Sequence, residues 1–397
     1  MKSMQLLKCF KTKNQAIRCV SSLQSFMTKP REEVLCNQAV KDAEKIVGYP
    51  TSFLSLRWLL NDEVANIALH IRKLIGTNHP LLNTARDLLL KRDVPAWGLI
   101  VLLVSKAGGL NKHFSDMECD ITAGILHSQR VLAEVTVMIK TSNIVHNSLL
   151  NIDNMQSEDV VDLNFGNKIA LLSGDYLLSI CFRELAGLKN QKVNEIISTS
   201  LRDLAEAEFI EPRDKQNRPL PAKPLSVQQD VEIPNEYGTE PFQLTKVLGN
   251  TKSEWTLRHI LGGGSLLAKC CQGTLQLAGH SDNFQKIGYT LGRNIALAWQ
   301  TRIDLEIFQE DNLGPFSLIS APVMFHLQHD PSFYSEIISC VDGKVDYENI
   351  RRVVKSGPGL SETKKLQSEF CDKAVSILGN FTDSDAKKAL FNMIRAM

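Results

Sequence analysis

Two amphipathic stretches joined by a short acidic segment, residues 131–149 and 164–180, set the tightest limit on what this chain can fold into. In the first, Val131, Val135, Met138, the small Ser142, Val145 and Leu149 recur at the three-four spacing of one helical face, and Leu132 and Ile139 widen the stripe. In the second, which starts near Asn164, Ile169, Leu172, Tyr176 and Ile180 share a face. Gly166, Ala170 and Gly174 follow one another at four-residue spacing, so a neighbouring helix can approach closely there. Strand patterns are sparse along the whole chain, and periodicity alone predicts packed helices of an all-α core.

The residue types say more than the period. Ile144-Val145-His146 leads into Asn147-Ser148-Leu149-Leu150-Asn151, and Phe165-Gly166-Asn167-Lys168 runs on to Gly174-Asp175-Tyr176-Leu177-Leu178. This resembles the trans-isoprenyl diphosphate synthases, whose pattern is roughly (L/I)-(V/I)-H-D-D-x-x-D, then a basic pair, then F-G-N-K-x-A-(V/I)-L-(A/S)-G-D-(Y/F)-L-L. The segment YTLGRNIALAWQTRIDLEIF resembles the family's second aspartate helix; Gly292, Ala298 and Gln300 match it and Ala296 replaces a glycine. Residues 347–390 resemble its C-terminal helices. AEKIVGYPTSF, SLRWLL, RKLIGTNHPLL and VLLVSKAGG resemble the second-subunit branch of the polyprenyl diphosphate synthases. The resemblance implies a single-domain, all-α helical bundle of the isoprenoid synthase type.

Prenyl elongation ionises an allylic diphosphate, and the leaving diphosphate must be neutralised by Mg²⁺, a hard ion that favours carboxylate oxygens. Aspartates four apart on facing helices can clamp such ions. In the first motif Asn147, Ser148 and Asn151 stand where the family has carboxylates; in the second, Asp304 alone remains, with Gln300 nearby and Ile303 and Ile307 at outer positions. Two unit charges about 4 Å apart are worth about 4 kcal/mol at an effective dielectric of 20, so three lost carboxylates should abolish the cluster. Asp304 and Gln300 read as polar groups satisfied at the end of a cavity. The cationic side is depleted too: Gly76-Thr77-Asn78, Ser157-Glu158-Asp159 and Gly262-Gly263 stand at the family's basic positions, and Lys140 at a histidine. Asp153, Glu158, Asp159 and Asp162 lack helical spacing and read as a solvated loop rather than a displaced metal site.

Composition closes other routes. A net charge of +1 over 397 residues gives no global case for nucleic acid or a membrane surface. The longest apolar run, residues 99–104, is far short of the roughly 20 residues that span a bilayer. The nine cysteines form no C-x-x-C pair, and adjacent Cys270 and Cys271 read as packing residues in a reducing compartment. No phosphate-binding P-loop or dinucleotide loop is present; Gly262-Gly263-Gly264-Ser265 follows no strand. Residues 1–31 hold seven Lys and Arg and no acid before Glu32, with Leu6, Leu7 and Phe10 on one helical face. Residues 1–35 are therefore expected to be a mitochondrial transit leader, a disordered basic tail being the other reading. The domain proper is expected over 36–397, with a proline-rich insertion at about 211–250, because six of the 14 prolines fall between Pro212 and Pro241 and proline opposes helix. That insertion is expected to be a loop or disordered.

The resemblance then implies a non-catalytic subunit of a heteromeric polyprenyl diphosphate synthase in the mitochondrial matrix, making the prenyl tail of ubiquinone. Mg²⁺ is expected on a homologous catalytic partner and none on this chain. A heterotetramer is expected, with Gly166, Ala170 and Gly174 as candidate interface. An independently active prenyltransferase with a remodelled metal site, and an isoprenoid-binding protein without turnover, remain as alternatives.

Overall fold

A helix that is apolar on every side can only be stable inside, and WGLIVLLVSKAG is such a helix. Its residues from Trp97 to Ser105 are all buried, and it packs against the helices His127–His146, Ser265–Leu277, Asp385–Arg395 and Arg31–Val47. The computed structural model describes residues 31–48, 79–84, 96–111, 121–122, 124–152, 160–233, 244–309, 314–339 and 345–397. In chain order these form α1 (Arg31–Val47), α2 (Trp97–Gly108), a two-residue strand pair β1 (Ile121–Thr122) and β2 (Ile125–Leu126), α3 (His127–His146), α4 (Val160–Gly187) and α5 (Gln191–Ala207). After the proline-rich segment come α6 (Leu244–Val247), α7 (Thr251–His259), a π-turn Ile260–Gly264, α8 (Ser265–Leu277), α9 (Asp282–Gln309), α10 (Ala321–His329), a 3₁₀ turn Pro331–Phe333, α11 (Tyr334–Ser339), α12 (Tyr347–Ser356), α13 (Gly359–Leu378) and α14 (Asp385–Arg395). The all-α fold is as expected.

The expected leader to residue 30, Gly76-Thr77-Asn78, and Asp153, Glu158 and Asp159 lie outside the described residues. Helix α1 begins at Arg31, inside the leader as predicted to residue 35, and its Cys36, Ala43 and Val47 enter the main core. That core joins α2, α3, α8, α9, α13 and α14; a second cluster gathers Phe308, Leu318, Val323, Ile350 and Val354 around the end of α9.

The seam between α3 and α4 corrects the predicted register. Ile169 and Ile180 are buried, but Leu172 is 53% exposed. The inward face of α4 is instead led by its small residues: Gly166, Ala170 and Gly174 are all buried. A β-carbon on Gly166 would lie 2.3 Å from the His79 ring, and one on Gly174 would lie 2.1 Å from the ring of His146 on α3. Ser142 of α3 donates its hydroxyl to Gly174 O at 2.9 Å. The candidate intermolecular surface is thus taken up by packing inside this chain.

Residues 251–277 form two helices with a break between them rather than one. Gly263 adopts φ 148°, outside the range of an L side chain, and breaks the segment into α7 and α8. Helix caps follow the sequence closely: the side chains of Asn190, Asp346 and Ser384 accept from the amides of Val193, Asn349 and Lys387.

Candidate functional site: two degenerate aspartate motifs

The first motif lies beyond its helix. α3 ends at His146, with Asn147 as its C-cap, so positions 147, 148 and 151 do not stack on one helical face. The cause is Asn167 of the FGNK segment. Its side-chain oxygen accepts from Leu150 N at 2.9 Å and its amide donates to Leu150 O at 2.8 Å, pulling the chain out of the helical path. Asn147 is exposed. Ser148 is buried; its hydroxyl bonds Thr84 Oγ1 at 2.9 Å and Ile144 O at 3.2 Å. Asn151 is engaged by the proline-rich segment: its N–H donates to Gln216 Oε1, its carbonyl accepts from Gln216 Nε2, and its side-chain amide donates to Lys215 O, each at 3.0 Å.

The second motif is interior. Asp304, on α9, is 1% exposed and accepts three bonds: from the Trp255 indole at 2.9 Å, from Gln300 Nε2 at 2.8 Å and from Ala321 N at 2.8 Å. The expectation that Asp304 and Gln300 are satisfied polar groups matches this arrangement. Burial pushes the Asp304 carboxyl up to about 6, against the pull of its three donors. His259, its ring tilted 50° against that of Trp255 with centroids 4.7 Å apart, is pushed by burial down to about 3. Ile303 and Ile307 offer no donor atoms. This set does not fit a magnesium cluster: the Asp304 oxygens accept from N–H donors, the Asn151 amide is held by Lys215 O, and Asn147 is an uncharged, exposed amide past the helix end. Among the described residues no group of three or more His, Cys, Asp or Glu could hold a metal ion.

Opposite shifts in one buried pocket give a testable pH signature. Asp304 ionises at about 6 in the folded chain against an ordinary 3.8, so its penalty on folding is absent below about 3.8, grows as pH rises, and is complete above about 6. That gap is worth about 3 kcal/mol. His259 works the other way, since a folded value of about 3 makes acid costly below its ordinary 6.5. Unfolding free energies of the wild type and Asp304→Asn, measured at pH 4 and pH 7, should therefore diverge by about 3 kcal/mol in favour of the variant at the higher pH. Equal differences at both pH values would contradict it.

Sequence reasoning passed over two other features. Lys140 on α3 places its Nζ over the Trp97 ring, 4.6 Å from the centroid, with no carboxylate partner among the described residues, and burial lowers its amine to about 8. Gly263 leaves that space open, since a β-carbon there would lie 3.1 Å from Lys140 Nζ and 3.0 Å from Trp97. Asp203 of α5, buried, accepts from Ser265 and Lys269 of α8 and from Arg202 at 3.0 Å. The four-residue spacing of Ser265 and Lys269 was the only available signal, and it pointed to a helix face rather than to Asp203.

The lost carboxylates sit on a scaffold that known proteins share. Over 372 residues the chain is 36% identical to a mouse protein named All trans-polyprenyl-diphosphate synthase PDSS2, a match covering 91% of this chain and 86% of the relative. The chain belongs to the all-trans-polyprenyl-diphosphate synthase family. The human protein of the same name is likewise 36% identical over 91% of this chain and 87% of its own length. A Yarrowia lipolytica protein named Probable hexaprenyl pyrophosphate synthase, mitochondrial, is 26% identical over 90% of this chain and 88% of the relative. No protein-family model matches the chain. The fold of this polyprenyl synthase relative is that of a crystallised geranylgeranyl pyrophosphate synthase from Corynebacterium glutamicum, with TM-score 0.56 and 15% identity over 92% of this chain and 96% of that one. A medium/long-chain prenyl pyrophosphate synthase from Arabidopsis gives 0.53 and 19% identity over 85% and 96%. In this member of the family the first motif lies past the end of its helix and is engaged by the chain's own residues, and the second holds a buried, hydrogen-bonded carboxylate.

Proposed function

We propose that the chain is the catalytically silent subunit of a mitochondrial, heteromeric all-trans-polyprenyl diphosphate synthase that supplies the prenyl side chain of ubiquinone. Its partner is a homologous subunit with both aspartate clamps intact, which carries the Mg²⁺, and the assembly is a heterotetramer. The observation that carries the reading is a family scaffold whose only retained motif carboxylate, Asp304, is buried with both of its oxygens accepting from N–H donors. The mitochondrial part rests on the basic, acid-free leader and on the names of the fungal relatives. Among the described residues no helix is long and apolar enough to cross a membrane.

With the small residues of α4 turned inward, the surface offered for pairing is the opposite side of the same helix. Val161 (76% exposed), Leu171, Leu172 and Phe182 (53%) stand out there over about 32 Å of helix. These exposed apolar side chains, with Lys168 and Asp175 exposed among them, are the mixed surface that a subunit interface would bury. Leu172→Arg with Phe182→Arg should leave the circular dichroism of the isolated chain unchanged and abolish co-purification with the catalytic homologue from mitochondria. Ala170→Arg, by contrast, would bury a charge inside the chain and unfold it. A double variant that still co-purifies at wild-type yield would place the interface elsewhere. A wild-type chain that never captures a homologue bearing both aspartate motifs would refute the subunit reading.

A further inference from the structure

The proline-rich segment, expected as a loop or disorder, is an ordered tongue over residues 212–220. Asp214 organises its tip: its carboxylate accepts from Gln216 N at 2.9 Å and Arg218 N at 2.7 Å, its N–H donates to Arg218 O at 2.9 Å, and Asn217 takes the left-handed φ of 58°. Arg213 bridges antiparallel to Pro219, and Leu220 N closes on Pro212 O at 2.8 Å. Arg213 also fastens the tongue to the end of α5, donating to Glu208 Oε2 at 2.9 Å and Ala207 O at 2.6 Å.

The two ends of this tongue reach the two degenerate motifs. At the tip, Gln216 and Lys215 take up the backbone N–H, carbonyl and side chain of Asn151. At the base, Leu220 is 3% exposed within the second core cluster, together with Phe308 and Ile307 at the end of the second motif's helix. Arg218 adds a contact to the Tyr347 hydroxyl at 3.5 Å. A family member with intact motifs would join its two aspartate helices through metal ions; here a stretch of the chain itself runs between the same two places.

We propose that the tongue is a built-in clamp that replaces the metal bridge, holding the two motif regions together in a permanently closed arrangement that needs no ligand. The proposal stands on these contacts and does not depend on whether the chain pairs with a catalytic subunit. Its two anchors are 65 and about 88 residues from their targets in sequence, so the coupling is tertiary rather than local.

Backbone hydrogen exchange on the full chain, resolved to single amides, tests it. The Asn151 amide, which donates to Gln216, reports the clamp; the neighbouring Leu150 amide, which donates to Asn167, reports the fold beneath it. Leu220→Ala, at the far anchor, should speed exchange at Asn151 by about tenfold or more while Leu150 stays protected. Gln216→Ala, at the tip, should in turn speed exchange at the Leu220 amide. Adding magnesium diphosphate to the wild type should leave the pattern unchanged. The clamp is overturned if Asn151 already exchanges like an unprotected amide in the wild type, if Gln216→Ala leaves Leu220 as it was, or if magnesium diphosphate adds protection at 147–151. Should Leu220→Ala lose Leu150 protection as well, the milder Gln216→Ala decides the matter alone.

Discussion

Supplied with Mg²⁺, farnesyl or geranylgeranyl diphosphate and isopentenyl diphosphate, the purified chain is expected to yield no polyprenyl diphosphate, with turnover at least about 10³-fold below that of a working synthase. The triple variant Asn147→Asp, Ser148→Asp, Asn151→Asp is expected to be equally inactive. Three carboxylates on one helical face would form a clamp, but here the helix stops at His146 and the three positions diverge. One carboxylate would project into solvent at 147. One would replace a buried hydroxyl bonded to Thr84, with a desolvation cost of several kcal/mol. The third would lose the Lys215 carbonyl as acceptor of its amide and meet it as a repulsive neighbour. In the second motif, Asp304 has its oxygens committed to three N–H groups. Product chain length and yield, read by mass spectrometry, check both variants. Synthase-level turnover by the wild type alone would favour an independent enzyme with a remodelled site.

The largest stability effect is expected at Glu254. Fully buried on α7, it accepts from Ala222 N at 3.0 Å and Gly249 N at 2.7 Å, and it pairs with Arg258 Nε at 2.9 Å. Arg258 continues the network into the start of the proline-rich segment, donating to Ile210 O at 3.3 Å and Glu211 O at 2.9 Å. One helical turn thus ties down the point where that segment leaves the core and the point where it returns. Glu254→Ala strands a buried guanidinium and two buried amides, and should destabilise the chain by about 3–5 kcal/mol in urea unfolding. Glu254→Gln keeps the acceptor oxygen and the shape but not the charge, and should fall between the two. A loss below about 1 kcal/mol for Glu254→Ala would show that the pair contributes little and that hydrophobic packing alone holds the segment.

Much of the architecture was written in local pattern. The stripe Val131, Val135, Met138, Val145 is buried as its period demands, and Asp346 and Ser384 cap the helices that follow them. Such features depend on residues within a turn or two of one another, which is the range over which side-chain spacing and capping chemistry act. Leu172 shows where the same logic fails. Its spacing places it on an apolar stripe of α4, but the choice of inward face went to Gly166, Ala170 and Gly174, because only small residues let His79 and His146 pack there. Periodicity ranks faces by hydrophobicity and carries no term for how near a partner must come.

The functional site divides along the same line. That the metal-binding carboxylates are missing is a property of the letters alone: Asn147, Ser148, Asn151, Ile303 and Ile307 can supply no charge wherever they are placed. What those positions do instead was settled only when distant segments met. Gln216 reaches Asn151 across 65 residues, Trp255 reaches Asp304 across 49, and Asn167 draws Leu150 off the helix across 17. Neither Gln216 nor Trp255 carries a mark in sequence, and the FGNK motif that holds Asn167 does not say what it bonds, because a polar group in water is satisfied and becomes selective only once burial removes the solvent that would otherwise bond it. The sequence therefore determined that the motif carboxylates other than Asp304 are absent, and the tertiary structure decided that these positions are engaged by the chain's own hydrogen bonds.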